Sequence, residues 1–294
     1  MIKCGQNIDH LGVLDLTFSF PADGAGGVRV QEALTMVPTA GVPRDPHVDA
    51  VIDKWVAALP SGGGDEALCC VGECAVSTLT RDLRARETSF ACAVADALVW
   101  SYRARDRRCD LGVQNGGFVR CDNVYKPGTL LTKAMVLAEM PFARRPVLID
   151  LSLRHLRLGL EQMLADAPAH VGSFPHLSAG WEVAVDVARP PLHRVVGMRF
   201  EGEELDVATG WGGAADGPAD SAAALDRRRF HVAIQSFYVD KDGDGVDAFH
   251  RGALLGDHGQ LVSDCVVDYL RTCVDALDGH PPGRLILLNA DGAR

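Results

Sequence analysis

No apolar run in this sequence approaches the ~20 residues that cross a bilayer as a helix, so no membrane span is expected. Positive charge is also short. The 29 Lys and Arg against 39 Asp and Glu leave a net charge of −10. Polyanions repel such a chain, which excludes nucleic-acid polymers and anionic membranes as general partners. A small anion in a local basic pocket stays open. No two of the nine cysteines stand in C-x-x-C spacing, so the sequence gives no zinc-site pattern. His10, His47, His155, His193 and His231 are isolated, and His170 and His176 have no third ligand near them. Gly-Asn-His and Gly-His-x-His clusters are absent. Metal-assisted chemistry is therefore not expected from these histidines.

The odd, scattered cysteine set points to a reducing compartment, that is, a cytoplasmic one. Met1 is followed by Ile2-Lys3-Cys4-Gly5 and no apolar leader, so no signal peptide is read. The hydrophobic content of 47% over 294 residues suffices for one large domain or two modest ones.

The stretch Asn115-Gly116-Gly117-Phe118-Val119-Arg120 stands out. It follows the apolar run Leu111-Gly112-Val113, which reads as a buried strand. Two glycines let backbone turn sharply and approach a ligand, and Arg120 brings a donor fork suited to phosphate or carboxylate. The run is also ordinary turn chemistry, so it needs support from elsewhere in the chain.

Leu11 to Phe18 alternates as a strand, and Val28 to Val30 returns beside it. Asp45-Pro46 opens a helix whose apolar positions Val48, Val51, Ile52, Trp55 and Leu59 keep helical spacing to Pro60. Ser61 to Gly64 reads as a joint. Beyond it, Leu68 to Thr78 is a strand candidate. Arg84 and Arg86 then precede a helix capped at Thr88 or Ser89, where positive potential favours an anion. Leu130 to Met140 suggests a helix, Pro141-Phe142 a rigid loop, and Val147 to Ile149 a strand. Ser152 caps a helix, and Gly172 to Gly180 reads as a loop. Trp181 to Val187, Val195 to Phe200 and Phe230 to Ser236 are strand candidates. Gly210 to Ala224 reads as a mobile loop, Val262 to Leu277 as a helix and Leu285 to Leu288 as a last strand. Asp240 to Gly245 matches the first half of an EF-hand loop. Arg251 stands where a bidentate Glu is needed, so calcium is not expected.

Arg84 before a capped helix, Asn115-Gly116-Gly117-x-x-Arg120, Pro141-Phe142, and Tyr238 six residues before Asp244-Gly245 occur in one order. That order, over residues 66–275, resembles the C-terminal domain of the 5'-nucleotidase family. Ile2 to Gly5 and Leu11 to Leu16 resemble the last strands of the family's metallophosphoesterase domain, and Asp45 to Trp55 its interdomain helix. The resemblance implies a mixed α/β (α+β) fold layered α/β/β/α. It implies a metallophosphoesterase remnant at 1–44, a connector helix and hinge at 45–65, and a nucleotide-binding domain at 66–294.

It also implies a role for each matching residue. Phe142 and Tyr238 would sandwich the base, and Arg84 and Arg120 would hold phosphate. Asn115 with the Gly116-Gly117 backbone would line the pocket, and Asp244 would accept from ribose hydroxyls. The expected partners are a nucleotide or nucleoside and the family's metallophosphoesterase domain. Two divalent metal ions, such as zinc or manganese, are expected in that domain, with no cofactor and no catalytic residue in this chain. The expected function is the substrate-binding portion of a metal-dependent phosphohydrolase of nucleotide catabolism, inactive alone. The alternative is a non-catalytic nucleotide-binding or regulatory module. The chain departs from the family pattern at Phe118 for a third glycine, Ala143-Arg144 for Gly-Asn, Tyr238 at the second stacking position, where the ring face is kept, and Asp242 for a glycine.

Overall fold

A computed structural model describes residues 10–20, 27–58, 66–206, 226–240 and 243–290. The chain divides into two units, Met1–Ser61 and Gly62–Arg294. The joint at Ser61 to Gly64, the loop at Gly210 to Ala224, and Asp242 lie outside the described residues.

In the first unit, strands β1 (His10–Ser19) and β2 (Arg29–Pro38) form an antiparallel hairpin, with His10 opposite Pro38 and Ser19 opposite Arg29. Alternation puts Leu14 opposite Leu34 and Phe18 opposite Val30 on one face. Helix α1 (Pro46–Ala58) starts where the sequence predicts. The Asp45 carboxylate accepts from the backbone N–H of His47 at 2.8 Å and of Val48 at 3.3 Å, as a capping side chain does.

The second unit opens with β3 (Ala67–Val71), β4 (Val76–Ser77), the single turn α2 (Thr80–Leu83) and helix α3 (Ser89–Arg103). The sequence reading of one strand from Leu68 to Thr78 therefore splits in two. Thr88 takes the N-cap position of α3, but its hydroxyl makes no capping bond. Next come β5 (Leu111–Asn115), β6 (Val124–Tyr125), β7 (Leu130–Thr132), α4 (Lys133–Glu139), β8 (Pro146–Ser152) and α5 (Leu153–Met163). The predicted helix over Leu130 to Met140 thus begins as strand. Ser152 caps α5, its hydroxyl accepting from the His155 N–H at 3.4 Å.

Strand β9 (Pro175–Leu177) occupies part of the stretch that the sequence suggests is a loop. Then follow β10 (Trp181–Asp186), β11 (Val195–Phe200), β12 (Glu203–Leu205), β13 (Arg229–Gln235) and the turn α6 (Phe237–Asp240). The chain closes with β14 (Ala253–Gly256), α7 (Val262–Cys273), β15 (Ala276–Leu277) and β16 (Leu285–Leu288).

The central sheet runs β14-β8-β13-β5-β9, and a second sheet runs β12-β11-β10-β16. Period-two alternation separates two cores across the central sheet. From β8, Val147, Ile149 and Leu151 enter one core with α5 and the second sheet, around Trp181, Val183 and Met198. Leu148 and Ala233 point the other way, into a core built by α3 and α7 around Phe90, Leu98, Val266 and Leu270. The fold is the expected mixed α/β one, with α3 and α7 on one face of the central sheet and α5 with the second sheet on the other. The site lies where the C-terminal ends of β5 and β13 come together.

Candidate functional site

Strands β5 and β13 run parallel, so their last residues, Asn115 and Gln235, emerge on the same edge. The Gln235 amide donates to Asn115 Oδ1 at 2.9 Å, Gln114 donates to the same oxygen at 3.2 Å, and Asn115 Nδ2 donates to the Gly172 carbonyl at 3.1 Å. These three bonds fix the amide plane of Asn115. The glycine turn follows as a single 3-10 turn, Gly116–Phe118.

Gly116 has a reason other than ligand approach. A Cβ there would stand 1.9 Å from the Leu83 carbonyl oxygen. The turn therefore packs backbone to backbone against the end of α2, and Arg84 is the residue that follows. The buried ring of His176 grips the same point, its Nε2–H donating to the Leu83 carbonyl at 2.9 Å. Its Nδ1 accepts from the Thr88 N–H at 3.4 Å. Burial without a counter-charge pushes the His176 pKa down to about 4, so the ring is neutral. Arg86, which the sequence groups with Arg84 before the helix, instead pairs with Asp82 at 2.7 Å.

A cleft of about 400 Å³ opens beside this scaffold. Its wall carries Arg84, Asn115, Gly117, Phe118, Arg120, Phe142, Arg144, Gln235, Phe237 and Asp244. Six of the eight residues expected from sequence thus converge: Arg84, Asn115, Gly117, Arg120, Phe142 and Asp244. Gly116 supports the wall from behind.

Tyr238 is a correction. Its side chain is 1% exposed, lies in the core against Phe249 and is not on the cleft. Its hydroxyl donates to Asp244 Oδ2 at 3.1 Å. The ring that faces the cleft is its neighbour, Phe237. On a helical turn successive side chains point ~100° apart, so only one of two adjacent rings can face the site. The family pattern read along the chain does not say which.

The departures find places too. Phe118 is 3% exposed and packs on Phe142, ring centroids 5.7 Å apart. Arg144 lies over the face of Phe237 at 5.6 Å, and Arg120 over the face of Phe142 at 5.1 Å. Two phenyl rings therefore each carry a guanidinium, a favourable arrangement worth ~0.5–1 kcal/mol when exposed and more when dry. Phe237, Gln235 and Gly172 are cleft residues that sequence reasoning missed, and Phe118 and Arg144 enter it only as departures from the family pattern. The Arg144 signal was present as a departure after Pro141-Phe142.

Electrostatically the cleft is poised for an anion. Among the described residues, none of Arg84, Arg120 and Arg144 forms an ion pair. Burial lowers the Arg120 pKa, and nearby Arg84 lowers it further, against a raising effect from Asp244. Guanidiniums near enough to act on one another, with a single carboxylate on the wall and no ion pair among the described residues, favour a bound phosphate or sulfate. Asp244 sits at φ +53°, in the left-handed region. That strain is held by the Tyr238 hydroxyl. Burial, together with the same contact with the Asp244 charge, holds the Tyr238 phenol protonated.

Comparison with known proteins bears on the fold and the family. Trifunctional nucleotide phosphoesterase protein YfkN of Bacillus subtilis is 24% identical over 204 residues, 69% of this chain and 12% of that protein. The 5'-nucleotidase precursor from Thermus thermophilus superposes with a TM-score of 0.66 at 21% identity, over 96% of this chain and 50% of that one. Haemophilus influenzae NAD nucleotidase superposes at 0.57 with 14% identity, over 83% of this chain and 41% of that one. The sulfate thiohydrolase SoxB of Thermus thermophilus does so at 0.58 with 16% identity, over 96% and 45%. This chain spans half or less of the length of each of these proteins. The family described as "5'-nucleotidase, C-terminal domain" matches residues 70–251, and the chain belongs to that family.

Proposed function

We propose that the cleft binds a nucleotide, and that this chain is the substrate-binding portion of a 5'-nucleotidase-like, metal-dependent phosphohydrolase of nucleotide catabolism. The observation that carries this reading is the pairing of two phenyl rings, Phe142 and Phe237, with three guanidiniums on one cleft wall. The base stacks between the two rings, a contact worth ~1–3 kcal/mol. Arg84, Arg120 and Arg144 take the phosphate. Asp244 accepts from ribose hydroxyls, oriented by Tyr238. Asn115 and Gly117 line the floor.

The chemistry of the family needs two divalent ions, which activate water and neutralise phosphate. The cleft itself is not built to hold them, since its described wall offers three guanidiniums, one carboxylate and no histidine. A metallophosphoesterase domain is the fitting partner. The hairpin supports this, because Leu14, Phe18, Val30 and Leu34 remain 41 to 55% exposed and suit packing against further sheet. A second reading, a nucleotide-binding module without turnover, is favoured by the guanidiniums that already cover a face of each ring.

The test is calorimetric titration of the purified chain with AMP, adenosine and inorganic sulfate. Saturable binding of AMP, weaker binding of adenosine and weaker still of sulfate is the expected order. Sulfate binding as tight as AMP would overturn a nucleotide site in favour of a simple anion site.

A further inference from the structure

The loop after β3 meets the loop after β15, and neither contributes a residue to the cleft wall. Strand β15 pairs in parallel with β3, Ala276 opposite Cys70 and Leu277 opposite Val71. The Gly72 N–H donates to the Leu277 carbonyl at 2.9 Å, and the Gly279 N–H donates to the Cys74 carbonyl at 3.1 Å. The two loops touch so closely that a Cβ on Gly279 would stand 2.0 Å from the Ala75 carbonyl oxygen. This backbone contact fixes three side chains on one spot. Cys74 Sγ lies 2.9 Å from His280 Nε2, and donor atoms of Cys74, Asp278 and His280 all lie within 4.8 Å of one another. Cys74 and Asp278 are half-buried, and His280 is exposed.

We propose that Cys74, Asp278 and His280 form a divalent-metal site that binds zinc. The donor set is a thiolate, an imidazole and a carboxylate, the combination zinc prefers over calcium or magnesium. Around a tetrahedral ion with bonds of 2.0–2.3 Å, donor atoms stand about 3.5 Å apart, so small side-chain rotations close the site. A water takes the fourth position. Binding releases the thiol proton of Cys74 to solvent. The ion ties the segment leading to β16 onto β3, a staple that two residues of parallel pairing do not supply alone.

The sequence contains the signal, Asp278-Gly279-His280 with Cys74 some 200 positions earlier, but nothing in the spacing joins them. The site is independent of the nucleotide reading.

The experiment is titration of the chelator-stripped full chain with zinc, followed by heat and by cobalt(II) substitution. One equivalent bound with proton release, a cobalt–thiolate charge-transfer band and a higher unfolding midpoint are expected. Cys74→Ser should lose the band. Cys74→Ser and His280→Gln should each weaken binding at least tenfold and remove the midpoint shift. Cys121→Ser, a control at an exposed thiol outside the cluster, should change nothing. Absence of saturable binding would overturn the proposal, as would binding that survives Cys74→Ser and His280→Gln through other cysteines.

Discussion

Six of the eight residues named from sequence meet on the cleft, and the two that do not show what a linear pattern leaves out. Phe237 and Tyr238 are adjacent, and both rings suit stacking. Only burial tells them apart: Tyr238 is 1% exposed, whereas Phe237 lines the cleft. Gly116 reads in the sequence as making room for ligand, but it makes room for the Leu83 carbonyl. On the proposed reading Arg120 takes the phosphate, so Arg120→Ala should weaken AMP binding ~10-fold or more while changing adenosine binding little, measured by calorimetry. Equal losses for both ligands would remove Arg120 from the phosphate. His176 gives a residue-scale prediction for stability. Its folded pKa is about 4, below the ordinary histidine value of 6.5. Between those values the unfolded chain binds a proton that the native ring refuses, so stability falls as pH drops from 6.5 toward 4. The contribution is at most ~3 kcal/mol, at about 1.36 kcal/mol per pKa unit. Urea titrations at pH 7 and pH 4.5 should show a smaller fall for His176→Gln than for the wild type. An identical fall in both would dismiss His176 as the origin.

At the level of elements, strong periodicity was legible and short pairing was not. Helices α1, α3, α5 and α7 and strands β5, β8, β10, β11, β13 and β16 sit where apolar spacing puts them. Strand β9 was missed because three residues, Pro175–Leu177, carry no period, and its place is set by pairing with β5. Strand β7 was absorbed into a helix because Leu130 and Leu131 continue the apolar spacing of α4. The contact between the Gly116 turn and α2 is an element-scale device that places Arg84. Gly116→Ala puts a methyl on a backbone oxygen that cannot move aside, and should cost at least ~3 kcal/mol, the upper end of overpacking penalties. Chemical unfolding reads this directly, and a loss below ~1 kcal/mol would mean that α2 shifts freely.

On the scale of the whole molecule, a sheet with cores on both faces delivers the ends of two parallel strands to one edge. Rings and guanidiniums from four separate stretches gather there. That convergence was legible as an order of motifs, because motif order in the chain carries through the fold. Which rim residue faces inward was not. On the proposed reading the metal chemistry lies outside the cleft, whose described wall offers one carboxylate and no histidine, so the purified chain should bind nucleotide and release no phosphate when zinc or manganese is added. Metal-dependent phosphate release from AMP by this chain would contradict that separation.

The most direct measurement is calorimetric titration of AMP into Phe237→Ala, Phe142→Ala and Tyr238→Phe beside the wild type. The account predicts that each alanine variant loses roughly 5- to 150-fold in affinity, the equivalent of ~1–3 kcal/mol of stacking. Tyr238→Phe, which keeps the buried ring and removes only the hydroxyl on Asp244, should stay within ~10-fold of wild type. Wild-type affinity in Phe237→Ala, or no AMP binding by the wild type, would contradict the cleft as the nucleotide site.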